Sequence, residues 1–115
     1  MSSPITTHVL DTARGRPASG VAAVLEVLTE TCEWQELGRG ITNDDGRIRT
    51  LLSEHHRLEP GSYRLTFDTG AYFDALKVAA FYPYISIVFV IQEPGGHHHV
   101  PLLLSPYGYS TYRGS

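Results

Sequence analysis

Cysteine is almost missing from this chain. A single residue, Cys32, excludes an internal disulfide framework and any zinc site built from thiolates. It fits a reducing compartment, and a cytoplasmic location is expected. Long apolar runs are also lacking: the longest, Ile87 to Ile91, spans five residues, against about 20 for a membrane-crossing helix. No membrane partner is expected. No basic stretch followed by an apolar run opens the chain, so no secretory leader is expected either. Neither sign of charge dominates. Nine Lys and Arg stand against twelve Asp and Glu, for a net charge of −3. That balance offers no electrostatic footprint for a phosphate backbone, so nucleic acid is not an expected partner. The signatures G-x-S-x-G and H-E-x-x-H and a phosphate-cradling glycine loop do not occur.

Turn formers are plentiful instead. Eleven glycines and seven prolines in 115 residues cut the chain into pieces of strand length. The length fits one domain, residues 1–115, able to bury roughly two-thirds of its unfolded surface. Strands are expected at Thr6 to Thr12, Val21 to Thr31, Trp34 to Thr42, Tyr63 to Asp68, Tyr84 to Gln92, His98 to Ser105 and Tyr109 to Arg113. Gly38 and Gly40 mark a bulge within the third. Turns fall at Arg14 to Pro17, Asn43 to Gly46, Pro94 to Gly96 and Pro106 to Gly108. One helix is expected, Ala71 to Ala80, capped by Asp68 or Thr69, with Tyr72, Ala75, Leu76 and Ala79 on one side. Short strands with turns every 8 to 12 residues describe an all-β, antiparallel sandwich.

The run His97-His98-His99 carries the clearest chemical signal. Residues two apart share a strand face. His98, Val100, Leu102 and Leu104 therefore form the core side, and His97, His99, Pro101 and Leu103 face outward. Two outward imidazoles fit a solvated strand entrance. They also fit a zinc site, provided that a third ligand such as His8 comes from elsewhere. His8 lies in the first strand, where an isolated histidine is ordinarily an edge residue. Arg47 follows the Asn43–Gly46 turn and shares a face with Arg49, an arrangement that in isolation reads as a solvated charge pair. His55 and His56 fall in a polar loop. The strand-like run Tyr109 to Ser115 has no polar tail after it, which suggests that its end is buried or used. A carboxylate at Ser115 could then pair with an arginine or orient a histidine.

Three segments together resemble the transthyretin-related family, and within it the branch of 5-hydroxyisourate hydrolases. His8-Val9-Leu10-Asp11 with Gly15-Arg16-Pro17 is similar to the first family signature, whose leading position is Lys in the hormone carriers and His in the enzymes. The run from His98 to Pro106 is similar to the second, with His99 at the enzyme's histidine. Tyr112-Arg113-Gly114-Ser115 matches the ending of the hydrolases, which the carriers lack. The resemblance implies a sandwich of two four-stranded sheets with one short helix. It also implies a homotetramer, a dimer of dimers, with sites in a channel at the dimer–dimer interface. The implied reaction is hydrolytic ring opening of 5-hydroxyisourate, a small purine-derived substrate, to 2-oxo-4-hydroxy-4-carboxy-5-ureidoimidazoline. No metal or organic cofactor is implied.

On that resemblance His8, Arg47, His99 and Ser115 are the expected catalytic residues, and His8, Arg47 and Tyr112 the expected substrate contacts. His99 or His8 would deprotonate water, with the other holding substrate or shuttling the proton. Arg47 would stabilise the developing oxyanion, Ser115 would orient a histidine or the water, and Tyr112 would narrow the channel. His97 is assigned no role. Alternatives are a transthyretin-type carrier without catalysis, a zinc-dependent hydrolase using His8, His97 and His99, and a purely structural sandwich.

Overall fold

The computed structural model describes residues 3–114. Nine strands and one helix run through them in the order β1 (Ile5–Asp11), β2 (Arg16–Pro17), β3 (Ala22–Leu28), β4 (Trp34–Ile41), β5 (Arg47–Ile48), β6 (Gly61–Phe67), α1 (Thr69–Ala75), β7 (Ile85–Ile91), β8 (His98–Ser105) and β9 (Gly108–Thr111). The strands form two sheets. One has the order β4-β3-β6-β7, and the other β2-β1-β8-β9 with β5 also paired to β1. The second sheet thus has five strands rather than four, because two strands of only two residues each attach to β1. Leu10 and Asp11 pair with β2, while Thr7 and His8 pair with β5.

All pairings are antiparallel but one. Strands β1 and β8 run parallel, in register from Ile5–His98 to Asp11–Leu104. Turn chemistry reports only on neighbours along the chain, so this long-range pairing leaves no local trace in sequence. The chain crosses between the sheets after β7 and enters β8 beside the start of β1, where the His98 N–H donates to the Pro4 carbonyl at 2.8 Å.

Alternation along the strands supplies the core. Ile5 and Val9 of β1, Leu25 of β3, Leu65 and Phe67 of β6, Ile91 of β7 and Leu102 and Leu104 of β8 are essentially buried. Each such side chain contributes about 1.5–3 kcal/mol relative to exposure. The expected bulge occurs where the β3–β4 register shifts between Leu25 and Glu26. It leaves Leu37, beside Gly38, as the extra residue.

The helix is shorter than its apolar spacing suggested. Asp68 caps it, accepting from the Ala71 N–H at 3.2 Å. It closes in a Schellman arrangement: Lys77 adopts φ 59, and the Lys77 and Val78 N–H groups donate to the carbonyls of Asp74 and Phe73. The buried face is Thr69, Tyr72 and Phe73, whereas Ala75 and Ala79 are exposed. The Tyr72 hydroxyl donates to the buried Asp11 carboxylate at 2.7 Å. The other Asp11 oxygen accepts the N–H groups of Ala13 and Arg14 at 3.1 and 3.0 Å. This joint pins the helix to the end of β1. Burial, and then the bond to Asp11, pushes the Tyr72 phenol above its ordinary pKa.

Strand β9 stops at Thr111, short of the expected Arg113. Gly114 then rejoins the sheet through an isolated bridge to His99. Among the described residues no helix is long and apolar enough to cross a membrane.

Candidate active site

Strand β1 lies between β5 and β8, so its outward residues have a neighbour on each side. His8 stands opposite Arg47 across one ladder and opposite Pro101 across the other. Thr6, one step along the same face, stands opposite His99. The register alone therefore gathers His8, Arg47 and His99 on one outer surface.

The turn before β5 explains how Arg47 gets there. The Asn43 side-chain oxygen accepts the N–H groups of Asp45 and Arg47 at 2.9 and 3.0 Å, and the Asn43 carbonyl accepts that of Gly46 at 2.9 Å. Gly46 takes φ 75, the left-handed region that glycine enters without penalty. Its carbonyl accepts the Val9 N–H at 2.7 Å. A Cβ at this position would run into the Val9 carbonyl. The turn consequently lies flat on β1, with Arg47 delivered beside His8.

The C-terminal tail meets the same surface from the other side. The Gly114 N–H donates to the His99 carbonyl at 2.8 Å. A side chain there would stand 2.6 Å from Cδ2 of the His99 ring, so only glycine lets the tail lie against the imidazole. Tyr112, largely exposed, sits between Thr111, which pairs with Leu102, and Gly114. Tyr112, Arg113 and His99 share a cavity of about 290 Å³ that runs along β7. Ser115 lies outside the described residues.

The Thr6 hydroxyl touches two imidazoles at once, 2.8 Å from Nδ1 of His99 and 2.7 Å from Nε2 of His97. The two rings stack loosely, with centroids 6.1 Å apart. Among the described residues no group of three or more His, Cys, Asp or Glu side chains is placed to hold a metal ion. His98 points inward and is buried, and among the described residues its Nδ1 has no hydrogen-bond partner. His55 and His56 are exposed in a loop, with His55 3.4 Å from Glu54.

Both site histidines are held below their ordinary pKa of 6.5. For His8 burial acts first, then the Arg47 cation, while a hydrogen bond to the Asp45 backbone and the Asp45 charge pull the other way. For His99 burial again leads, followed by Arg47, His97 and His8. Near neutral pH both shifts favour the neutral ring, which has a lone pair to accept a proton and lies within the field of the Arg47 cation. A base next to a cation can deprotonate water and stabilise the anion that results. Thr6 is the member of this cluster that sequence reading passed over. Its only signal is its position two residues before His8, on the same face.

Comparison with known proteins fixes the family. The model of the HIUase/Transthyretin family matches residues 5–114, a span that includes His8, Arg47, His99 and Tyr112. The chain belongs to that family. It is 50% identical to the mouse 5-hydroxyisourate hydrolase over 115 residues, covering 99% of this chain and 97% of that one. Its fold is similar to that of Klebsiella pneumoniae 5-hydroxyisourate hydrolase, with TM-score 0.84 and 40% identity over 98% of this chain and 100% of that chain. It is also similar to sea bream transthyretin in complex with thyroxine, with TM-score 0.89 and 33% identity over 96% and 94% of the two chains. Enzyme and hormone-binding protein share one fold in this family, so the fold does not choose between them and the side chains must.

Proposed function

We propose that this chain is a 5-hydroxyisourate hydrolase of urate degradation, working as a homotetramer through water activated by histidine. The observation that carries the reading is the placement of two imidazoles with lowered pKa and one arginine on a single outer face, beside the C-terminal tail. Identity of 50% to a relative named as that hydrolase supports it. A cyclic amide needs a nucleophilic water, an acceptor for its proton, a counter-charge for the tetrahedral oxyanion, and a proton for the departing nitrogen. His99 takes the water proton, Arg47 faces the oxyanion, and His8 holds the substrate and relays protons. The new C–O bond forms on the ring carbonyl, the ring C–N bond breaks, and the proton taken by His99 returns to nitrogen. Tyr112 contacts the substrate, and Ser115 orients the water. A single sheet face cannot exclude water by itself. A second copy packed over it in a dimer of dimers closes the site into a channel.

The test generates 5-hydroxyisourate with urate oxidase and follows its ultraviolet decay with and without the protein, in the presence and absence of a chelator. Accelerated decay that survives the chelator is the expected result. No acceleration by the assembled protein would sink the reading and favour ligand carriage. Acceleration abolished by the chelator would favour the zinc-dependent alternative.

A further inference from the structure

We propose that Thr6 and His97 are positioning residues which fix the proton of His99 on Nδ1 and so present its Nε2 as the base. The effect on turnover rests on the hydrolase reading above, but the proton arrangement does not. The argument is a count of protons. Thr6 has one hydroxyl proton and stands within hydrogen-bond distance of Nδ1 of His99 and Nε2 of His97. It can donate to only one of them, so at least one ring must donate to it.

Two arrangements place a proton on His99 Nδ1: either both rings donate to Thr6, or His99 donates to Thr6 and Thr6 donates to His97. In the third, Thr6 donates to His99 and the His99 proton moves to Nε2. Among the described residues no hydrogen bond reaches Nε2 of His99 and none of them accepts a proton there. A proton on Nδ1 has the Thr6 oxygen 2.8 Å away to accept it, which selects the first two arrangements. The backbone enforces the geometry, because Thr6 and His99 are direct partners in the parallel β1–β8 ladder and His97 precedes β8 by one residue on the same side. The nitrogen bonded by the protein decides which nitrogen reacts.

Thr6→Val removes the hydroxyl at nearly constant volume, Thr6→Ser restores it, and His97→Ala removes the far partner at an exposed position. Nitrogen-15 spectra of the histidine rings in the whole assembled protein report the tautomer without needing substrate. The wild-type chain is expected to show His99 protonated on Nδ1, and Thr6→Val to shift it towards Nε2. In the decay assay Thr6→Val should lose ~10–100-fold in kcat with KM within about twofold, and Thr6→Ser should recover most of it. His97→Ala should move both readouts the same way by less, and it stands in should Thr6→Val fail to assemble. An Nε2 tautomer in the wild-type spectrum, or unchanged tautomer and kcat in Thr6→Val and His97→Ala, overturns the proposal. A wild-type chain without turnover sinks the hydrolase reading instead, and the spectra still decide the proton's position.

Discussion

The outer faces of the two sheets treat charge in opposite ways. On the β4-β3-β6-β7 face, Arg64 bonds Glu26 at 2.7 and 2.8 Å while its guanidinium lies 4.4 Å above the Trp34 ring. Arg39 and Glu36 pair on β4, and the Thr66 and Ser86 hydroxyls bond each other at 2.9 Å. On the face of β1 and β8, three histidines and Arg47 gather, and among the described residues no carboxylate pairs with Arg47, His97 or His99. Asp45 acts on His8, where burial and Arg47 outweigh it. A face that neutralises its own charges has nothing left to offer a substrate. On the other face burial, and then the Arg47 cation, hold His8 and His99 below their ordinary pKa and so favour their neutral, basic form.

That contrast can be broken from either side. The largest effect belongs to the unpaired face: His99→Ala, Arg47→Ala and His8→Ala should each cost ~10²–10⁴-fold in kcat. Oligomeric state, read by light scattering, should not change, and near-normal turnover in any of the three would remove that residue from the mechanism. Gly114→Ala comes next. Its added methyl meets the His99 ring, and a displaced ring should lose up to about 10²-fold in rate with a small change in urea midpoint. On the paired face the pattern inverts. Arg64→Ala should leave turnover intact and lower stability by about 1–2 kcal/mol, since it removes a partly buried ion pair and a cation–π contact together.

The smallest effect is in acid. His8, His98 and His99 all have pKa values lowered in the folded chain, each with burial as the leading cause. Between those lowered values and 6.5 the unfolded chain binds more protons than the folded one. Stability therefore rises with pH across that window and is lost as pH falls through it. The urea midpoint at about pH 5.5 should be lower than at about pH 7.5, and an equal or higher one would contradict the shifts.

Much of this was readable in advance wherever local chemistry governs. The alternation of β8 put His98 inside and His99 outside, and the Asn43–Gly46 turn occurred where its residues called for it. The helix end did not follow its pattern, because the reversal at Lys77 comes from backbone closure and not from the apolar spacing that continues through Ala79. The meeting of Thr6 with His99 was not legible either. It depends on a parallel pairing between strands more than 90 residues apart, and no turn announces it. Thr6 looks like any strand threonine until β8 lies beside it.

The most direct measurement compares three proteins in one decay assay of 5-hydroxyisourate made in place: wild type, His99→Gln and Arg64→Ala. Wild type and Arg64→Ala should accelerate decay equally, and His99→Gln should leave it near the spontaneous rate. Equal acceleration by His99→Gln, or none by the wild-type chain, would contradict the assignment of chemistry to the β1–β8 face.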